Sequence, residues 1–228
     1  MALNLEKKQE LVRLCLEKRK VPTDIRLAVK LALDVSGSAR PLYRNGTMQE
    51  LVDRLIPVGM RFDDNKSIES YAFGSTIEQV GDITPDDFGS YVDTKFLREA
   101  GAVLWSGTQY ATALSRILKD TNGKTGFLGG LFGSKKKAPT PSYLMFITDG
   151  ETQGDEAATE RLLSDYRGSN VYVQLIGVGR ANFSFLENMA DMFSNVGFVT
   201  FPDLEQTSDE AMYEALLGEE LCGWIKGR

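Results

Sequence analysis

The chain has 228 residues, 42% of them apolar and 25% charged, enough for one domain with a substantial core. Its net charge of −6 argues against general nucleic-acid binding, which needs a basic face to displace counterions from phosphates. The complete absence of histidine excludes a Ser-His-Asp triad, a Cys-His pair and every His-containing zinc site.

Asn4 to Lys18 has helical spacing, with Leu5, Val12, Cys15 and Leu16 on one side, and Pro22 closes it. Arg26 to Leu33 reads as a mostly buried strand that ends at Asp34. Met48 to Phe62 is a second helix with Leu51, Val52, Leu55 and Val58 inward, and Pro57 should kink it or mark its C-terminal part. Ser67 to Phe73 and Thr76 to Val80 flank Gly74-Ser75 as a hairpin. Thr84 to Val103 is loop and short helix, opened by the capping sequence Thr-Pro-Asp-Asp. A helix at Tyr110 to Leu118 precedes a continuous apolar strand, Tyr143 to Thr148. Then come a helix (Asp155 to Tyr166), a strand (Val171 to Val178), a helix (Phe185 to Met192) and a short strand (Phe198 to Phe201). A terminal helix over Ser208 to Cys222 takes Ser208 as its N-cap.

Strands alternating with helices predict an α/β fold, a doubly wound and mostly parallel sheet with helices on both faces. In the order 3-2-1-4-5-6, with one antiparallel edge strand, the first and fourth strands of the series are neighbours. Ligands bind in the crevice at their carboxyl ends. Asp34 and Asp149 end those two strands, and the loop carrying Thr108 leads into the preceding helix, so all three should meet there. Residues 1–25 are expected to be an N-terminal helix and lead-in packed on a domain at 26–228, with an inserted loop at 122–141.

The motif Asp34-Val-Ser36-Gly-Ser38, with Ser106-Gly-Thr108 and Thr148-Asp149-Gly, supplies five oxygen side chains and no nitrogen or sulfur ligand. That is the donor chemistry of a hard divalent cation, Mg²⁺ above all, with Mn²⁺ or Ca²⁺ as alternatives. Taken alone, strand-end aspartates also cap helices, and Ser-Gly-Ser is ordinary turn sequence.

In this order on this framework, Asp34-x-Ser36-x-Ser38, Thr108 and Asp149 resemble the metal-ion-dependent adhesion site of the von Willebrand factor type A (VWA) domain. The resemblance runs from about Arg26 onward. The flanking words Leu33-Asp-Val-Ser-Gly-Ser, Leu42-Tyr-Arg-Asn-Gly-Thr, Arg61-Phe-Asp-Asp-Asn and Tyr71-Ala-Phe-Gly resemble stand-alone bacterial VWA proteins of tellurite-resistance (Ter) stress clusters, the TerF type. The resemblance implies a noncatalytic module. Ser36, Ser38 and Thr108 would be direct ligands, Asp34 and Asp149 would act largely through water, and a partner's Asp or Glu carboxylate would fill the open position. The implied partners include other Ter-cluster proteins, in a stress-response assembly. Arg40, Tyr43, Gly107, Gln109 and Glu151 are expected around the rim.

Two other classes compete. A metal-dependent phosphohydrolase could use Asp34 as nucleophile, but Ser36 stands where such enzymes place a general acid. A structural scaffold could carry the site unused. The segment Phe127-Leu128-Gly-Gly-Leu131-Phe132-Gly-Ser-Lys135-Lys136-Lys137 is either a surface loop or a docking element that pairs apolar anchors with positive charge, for a partner or, less favoured, a membrane surface. Cys15 and Cys222 read as reduced thiols, with a disulfide joining the two ends as the alternative. Gly177-Val-Gly179 reads as a tight turn, and Trp105 and Trp224 as packing residues. The N-terminus has no signal-peptide core and no segment is long and apolar enough to span a bilayer, which predicts a cytoplasmic protein.

Overall fold

A computed structural model describes residues 2–123, 140–150 and 152–228. Phe127, Leu128, Leu131, Phe132, Lys135, Lys136 and Lys137, with most of the inserted loop, lie outside the described residues, as does Glu151.

The strands are β1 (Ala28–Asp34), β2 (Ile68–Phe73), β3 (Ile77–Ile83), β4 (Ser142–Thr148), β5 (Val171–Val178) and β6 (Val196–Phe201). They form one sheet in the order β3-β2-β1-β4-β5-β6, parallel throughout except for the β2–β3 hairpin. The helices are α1 (Ala2–Lys18), α2 (Arg40–Arg44), α3 (Thr47–Phe62), α4 (Leu97–Ala100), α5 (Tyr110–Gly123), α6 (Glu156–Asp165), α7 (Ser184–Met192), α8 (Asp209–Leu216) and α9 (Glu219–Lys226).

The period-2 alternation of strand side chains divides the core between the two faces. Leu31, Leu33, Met145, Ile147 and Ile176 pack with α1, α3, α8 and α9. Ala32, Leu144, Phe146, Val173 and Leu175 pack with α5, α6 and α7. Every residue of β4 and β5 is buried, which is why both strands are almost uninterrupted apolar runs. Lys30 is the exception in β1. It is buried, and its ammonium is paired with Glu69, its register partner on β2.

The α/β architecture and strand order agree with the sequence reading, while several boundaries move. The terminal helix is two helices, not one: the chain breaks at Leu217-Gly218, where Gly218 has extended backbone and starts α9. Glycine's low helix propensity permits the break there without by itself requiring it. Ser208 does cap α8, accepting from the Ala211 amide at 3.1 Å. The short helix α2 escapes the sequence reading because five residues are too few to show a period. Thr84 and Asp87 form a reciprocal capping box around a 3₁₀ turn. Cys15 and Cys222 are buried and free, each Sγ resting on a backbone carbonyl, at 3.4 Å to Tyr213 and 3.2 Å to Leu217. Among the described residues, no helix is long and apolar enough to cross a membrane.

Candidate metal centre

The site is built at the carboxyl ends of β1 and β4, which are hydrogen-bonded neighbours up to Leu33 and Ile147. Asp34 is fully buried. One carboxylate oxygen accepts from the Ser36 amide at 2.8 Å and the other from the Thr148 hydroxyl at 2.7 Å. Thr148 in turn accepts from the Tyr110 hydroxyl at 2.9 Å, and Tyr110 also donates to the Gly150 carbonyl. The Tyr43 hydroxyl donates to the backbone carbonyl of Asp34 at 2.8 Å. Both oxygens of the carboxylate and its backbone are thereby held in one orientation.

In front of this anchor the hydroxyls converge. The Ser36 and Ser38 Oγ atoms are 3.0 Å apart, and Ser38 donates to Asp149 Oδ1 at 3.1 Å. The loop after α4 is tied to the same place. Ser36 and Ser106 form an isolated parallel bridge, and the Gly37 amide donates to the Ser106 carbonyl at 3.0 Å. The Thr108 carbonyl accepts from the Gln153 amide at 3.0 Å and from the Thr152 hydroxyl at 3.3 Å. Thr108 is buried, held between the Ser36–Ser38 loop and the turn after β4. Gly74 makes this closure possible: a Cβ there would stand 2.2 Å from Ser106 Oγ. Only glycine lets the end of β2 come so near the loop.

The electrostatics are one-sided. Burial pushes the Asp34 carboxyl up to about 6, against the lowering effect of the Thr148 and Ser36 hydrogen bonds, and the negative Asp149 pushes it further up. Asp149 is also raised, chiefly by burial, with the Ser38 hydroxyl opposing. Among the described residues, no cation is named among the main groups acting on either carboxylate. Among the described residues, no group of three or more His, Cys, Asp or Glu side chains is placed to hold a metal. The side chains brought together here are instead the Ser36 and Ser38 hydroxyls and the Asp34 and Asp149 carboxylates, oxygen groups of the kind a hard divalent cation takes.

The rim differs from expectation at Tyr43. It does not stand on the surface: it is buried, with its ring 5.6 Å edge-on from Trp105 and its hydroxyl spent on Asp34. The short helix α2 turns its aromatic inward, so Tyr43 supports the site from beneath. Arg40 is exposed on α2, its guanidinium 5.3 Å from the Trp105 ring centroid. Gly107 and Gln109 are half-buried, and Gln109 donates to the Gln153 carbonyl at 3.0 Å.

The supporting residues Thr148, Tyr110, Thr152 and Asp155 were not singled out from sequence. Asp155 accepts from the Thr152 hydroxyl and, at 2.7 Å, from the Ala111 amide at the start of α5. The Thr-Asp-Gly spacing contained Thr148 all along; that a strand-end hydroxyl would turn toward Asp34 required the β1–β4 pairing.

Residues 26–228 match the model of the TerF-like VWA family, described as the VWA domain found in the TerF C terminus. The chain belongs to this family. YcbR of Bacillus subtilis (strain 168) is 27% identical over 228 residues, spanning 98% of this chain and 86% of its own. Among solved structures, the SpRpn10 VWA domain aligns with a TM-score of 0.59 at 12% identity, covering 86% of this chain and 98% of that one. Proximal thread matrix protein 1 from the mussel byssus, with a zinc-occupied metal-ion-dependent adhesion site, aligns with a TM-score of 0.58 at 16% identity, covering 89% of this chain. The match spans about half of the mussel chain, 49% of its length. At these identities the structural likeness is one of fold. VWA domains in general are interaction modules that bind other proteins.

Proposed function

We propose that this chain is a noncatalytic, Mg²⁺-dependent protein-binding module that captures an acidic side chain of its partner. The observation that carries this reading is the convergence of the Ser36, Ser38 and Asp149 oxygens in front of a buried Asp34 whose carboxylate is held by an amide and a hydroxyl. Ser36, Ser38 and Thr108 are the direct ligands in this reading, with Asp34 and Asp149 acting through water. The bound ion supplies Lewis acidity, and neutral hydroxyls around it leave that acidity for an incoming carboxylate. The zinc-occupied site of the mussel protein supports a divalent ion here, without deciding which one. In this reading a partner meets the site across a rim that includes Arg40, Gln109, Gly107 and the sequence-expected Glu151, and it belongs to a bacterial tellurite-resistance or stress-response assembly in the cytoplasm, a context that the TerF-like family match supports. The Phe127 to Lys137 segment is a second docking element in the same assembly.

The hydrolase reading is weakened by Asp34 itself. A nucleophile must present an oxygen to its substrate, and Asp34 is fully buried with both oxygens hydrogen-bonded.

The test is retention of a partner from source-cell lysate by immobilised protein, with Mg²⁺ against EDTA and wild type against Thr108→Ala. The expected result is one protein retained only by wild type with Mg²⁺. Retention indifferent to both changes would sink the proposal.

A further inference from the structure

The two edges of the sheet are finished differently. At β3, the Gly81 amide donates to Glu99 Oε2 at 2.7 Å, and its carbonyl accepts from the Tyr91 hydroxyl at 2.6 Å. Lys95 Nζ donates to the neighbouring Asp82 carbonyl at 2.6 Å. Side chains from the segment after β3 thus occupy that edge's backbone groups, one of the ways proteins prevent strand addition.

The edge at β6 has no such cover. Val173 donates to the Asn195 carbonyl at 2.9 Å and Gly179 to the Phe201 carbonyl at 3.0 Å, so the odd-numbered residues from 195 to 201 turn their backbone groups to β5. By alternation, Phe198 and Thr200 turn theirs outward. Among the described residues, neither outward amide has an acceptor in the sheet or in any loop. Phe198 and Val199 are half-buried and Thr200 is exposed.

A groove of about 840 Å³ leads onto the start of β6 between the end of α7 and α9, and Met192, Phe193, Val196 and Trp224 supply its apolar lining. Met192 is 46% exposed, one of two large apolar side chains so open among the described residues. The rim is acidic: Asp191, Glu219 and Glu220 are all exposed there. Arg167, which also borders the groove, is engaged, donating to the Met192 carbonyl at 2.9 Å and lying over the Phe193 ring. Past the far end of β6, Asp203 and Glu205 are exposed as well. An antiparallel β6–β6 pairing of two copies would set these acidic ends against each other, which disfavours a second copy of the chain.

We propose that the β6 edge is a second interaction surface, which takes an extended segment of a partner protein by strand addition. Alternate apolar residues of that segment sit on Met192 on the α7 face, and its intervening lysines or arginines face Glu219 and Glu220 on the α9 face. Main-chain hydrogen bonds to Phe198 and Thr200 give affinity, and the acidic rim selects the charge. The surface needs no metal ion.

The test uses a synthetic alternating Lys-Val peptide, with a Glu-Val peptide as control, and amide NMR and hydrogen exchange of the full chain in EDTA. The Lys-Val peptide is expected to shift the Phe198 and Thr200 amides and to slow their exchange, while the Glu-Val peptide does neither. Thr200→Pro removes an outward amide that makes no ladder bond, so the fold tolerates it; binding should weaken at least tenfold. Glu219→Lys with Glu220→Lys should weaken it similarly. Binding that maps elsewhere, survives Thr200→Pro or fails to occur would overturn the proposal. So would self-association by sedimentation that Thr200→Pro abolishes, since the edge would then belong to a second copy. Because EDTA is present throughout, none of these outcomes depends on the metal-site reading.

Discussion

Two of the regions in this molecule that bury charge handle it in opposite ways. At the seam where α1 and α3 meet the start of α8, Lys8 and Arg54 are buried and Asp209 takes both of them, at 3.3 Å from Arg54 Nε; Arg54 also pairs with Glu50. At the carboxyl ends of β1 and β4, Asp34 and Asp149 lie in one site and, among the described residues, their side chains accept from the Ser36 amide and the Ser38 and Thr148 hydroxyls rather than from a cation. The seam closes its electrostatics internally and so serves the fold. The β1–β4 site leaves negative charge unmatched, which costs stability unless a cation arrives from solution. Charge balance therefore separates structural from functional burial within one chain.

The largest effect expected is at the seam. Arg54→Ala removes a buried side chain whose guanidinium holds Asp209, Glu50 and the Thr207 carbonyl and whose stem packs in the seam, and it should cost about 3 kcal/mol. Urea unfolding would measure it, and the loss should be the same with Mg²⁺ or EDTA. A loss that Mg²⁺ repairs would mean that the two regions are coupled.

Metal addition comes next. Mg²⁺ at about 100 times its dissociation constant should stabilise the wild type by about 2.7 kcal/mol through mass action. Thermal unfolding would report it, and the shift should vanish in Ser36→Ala.

A smaller and opposite effect sharpens the contrast. Asp34→Asn removes a buried negative charge while keeping the shape, so the metal-free protein should gain about 1 kcal/mol as it loses its response to Mg²⁺. Destabilisation in EDTA would show that Asp34 serves the fold, as the seam residues do.

Last, and no larger, is Ser208→Ala at the seam. Loss of the α8 cap should cost about 1 kcal/mol, equally with and without metal, by the same unfolding assay.

The sequence reading reached the sheet order and the meeting of Asp34, Ser36, Ser38 and Asp149 because strand ends and topology are local signals that multiply. It missed the orientation of Tyr43, because the five-residue α2 gives no period from which to tell inward from outward. Gly218 was visible as a glycine. Nothing local said that it would break a helix, since Gly223 sits inside α9 unbroken. The seam was invisible for a different reason: Lys8, Arg54 and Asp209 are far apart in sequence, and each alone is an ordinary charged residue on an amphipathic helix. The open β6 edge likewise depends on what fails to cover it, which the strand order alone does not tell.

The most direct test of the central claim is calorimetric titration of metal-stripped protein with Mg²⁺, wild type beside Ser36→Ala and Asp149→Ala. The account predicts one ion per wild-type chain and none resolved in either variant. A wild type that takes up no Mg²⁺, or variants that bind it as the wild type does, would contradict the assignment of this site.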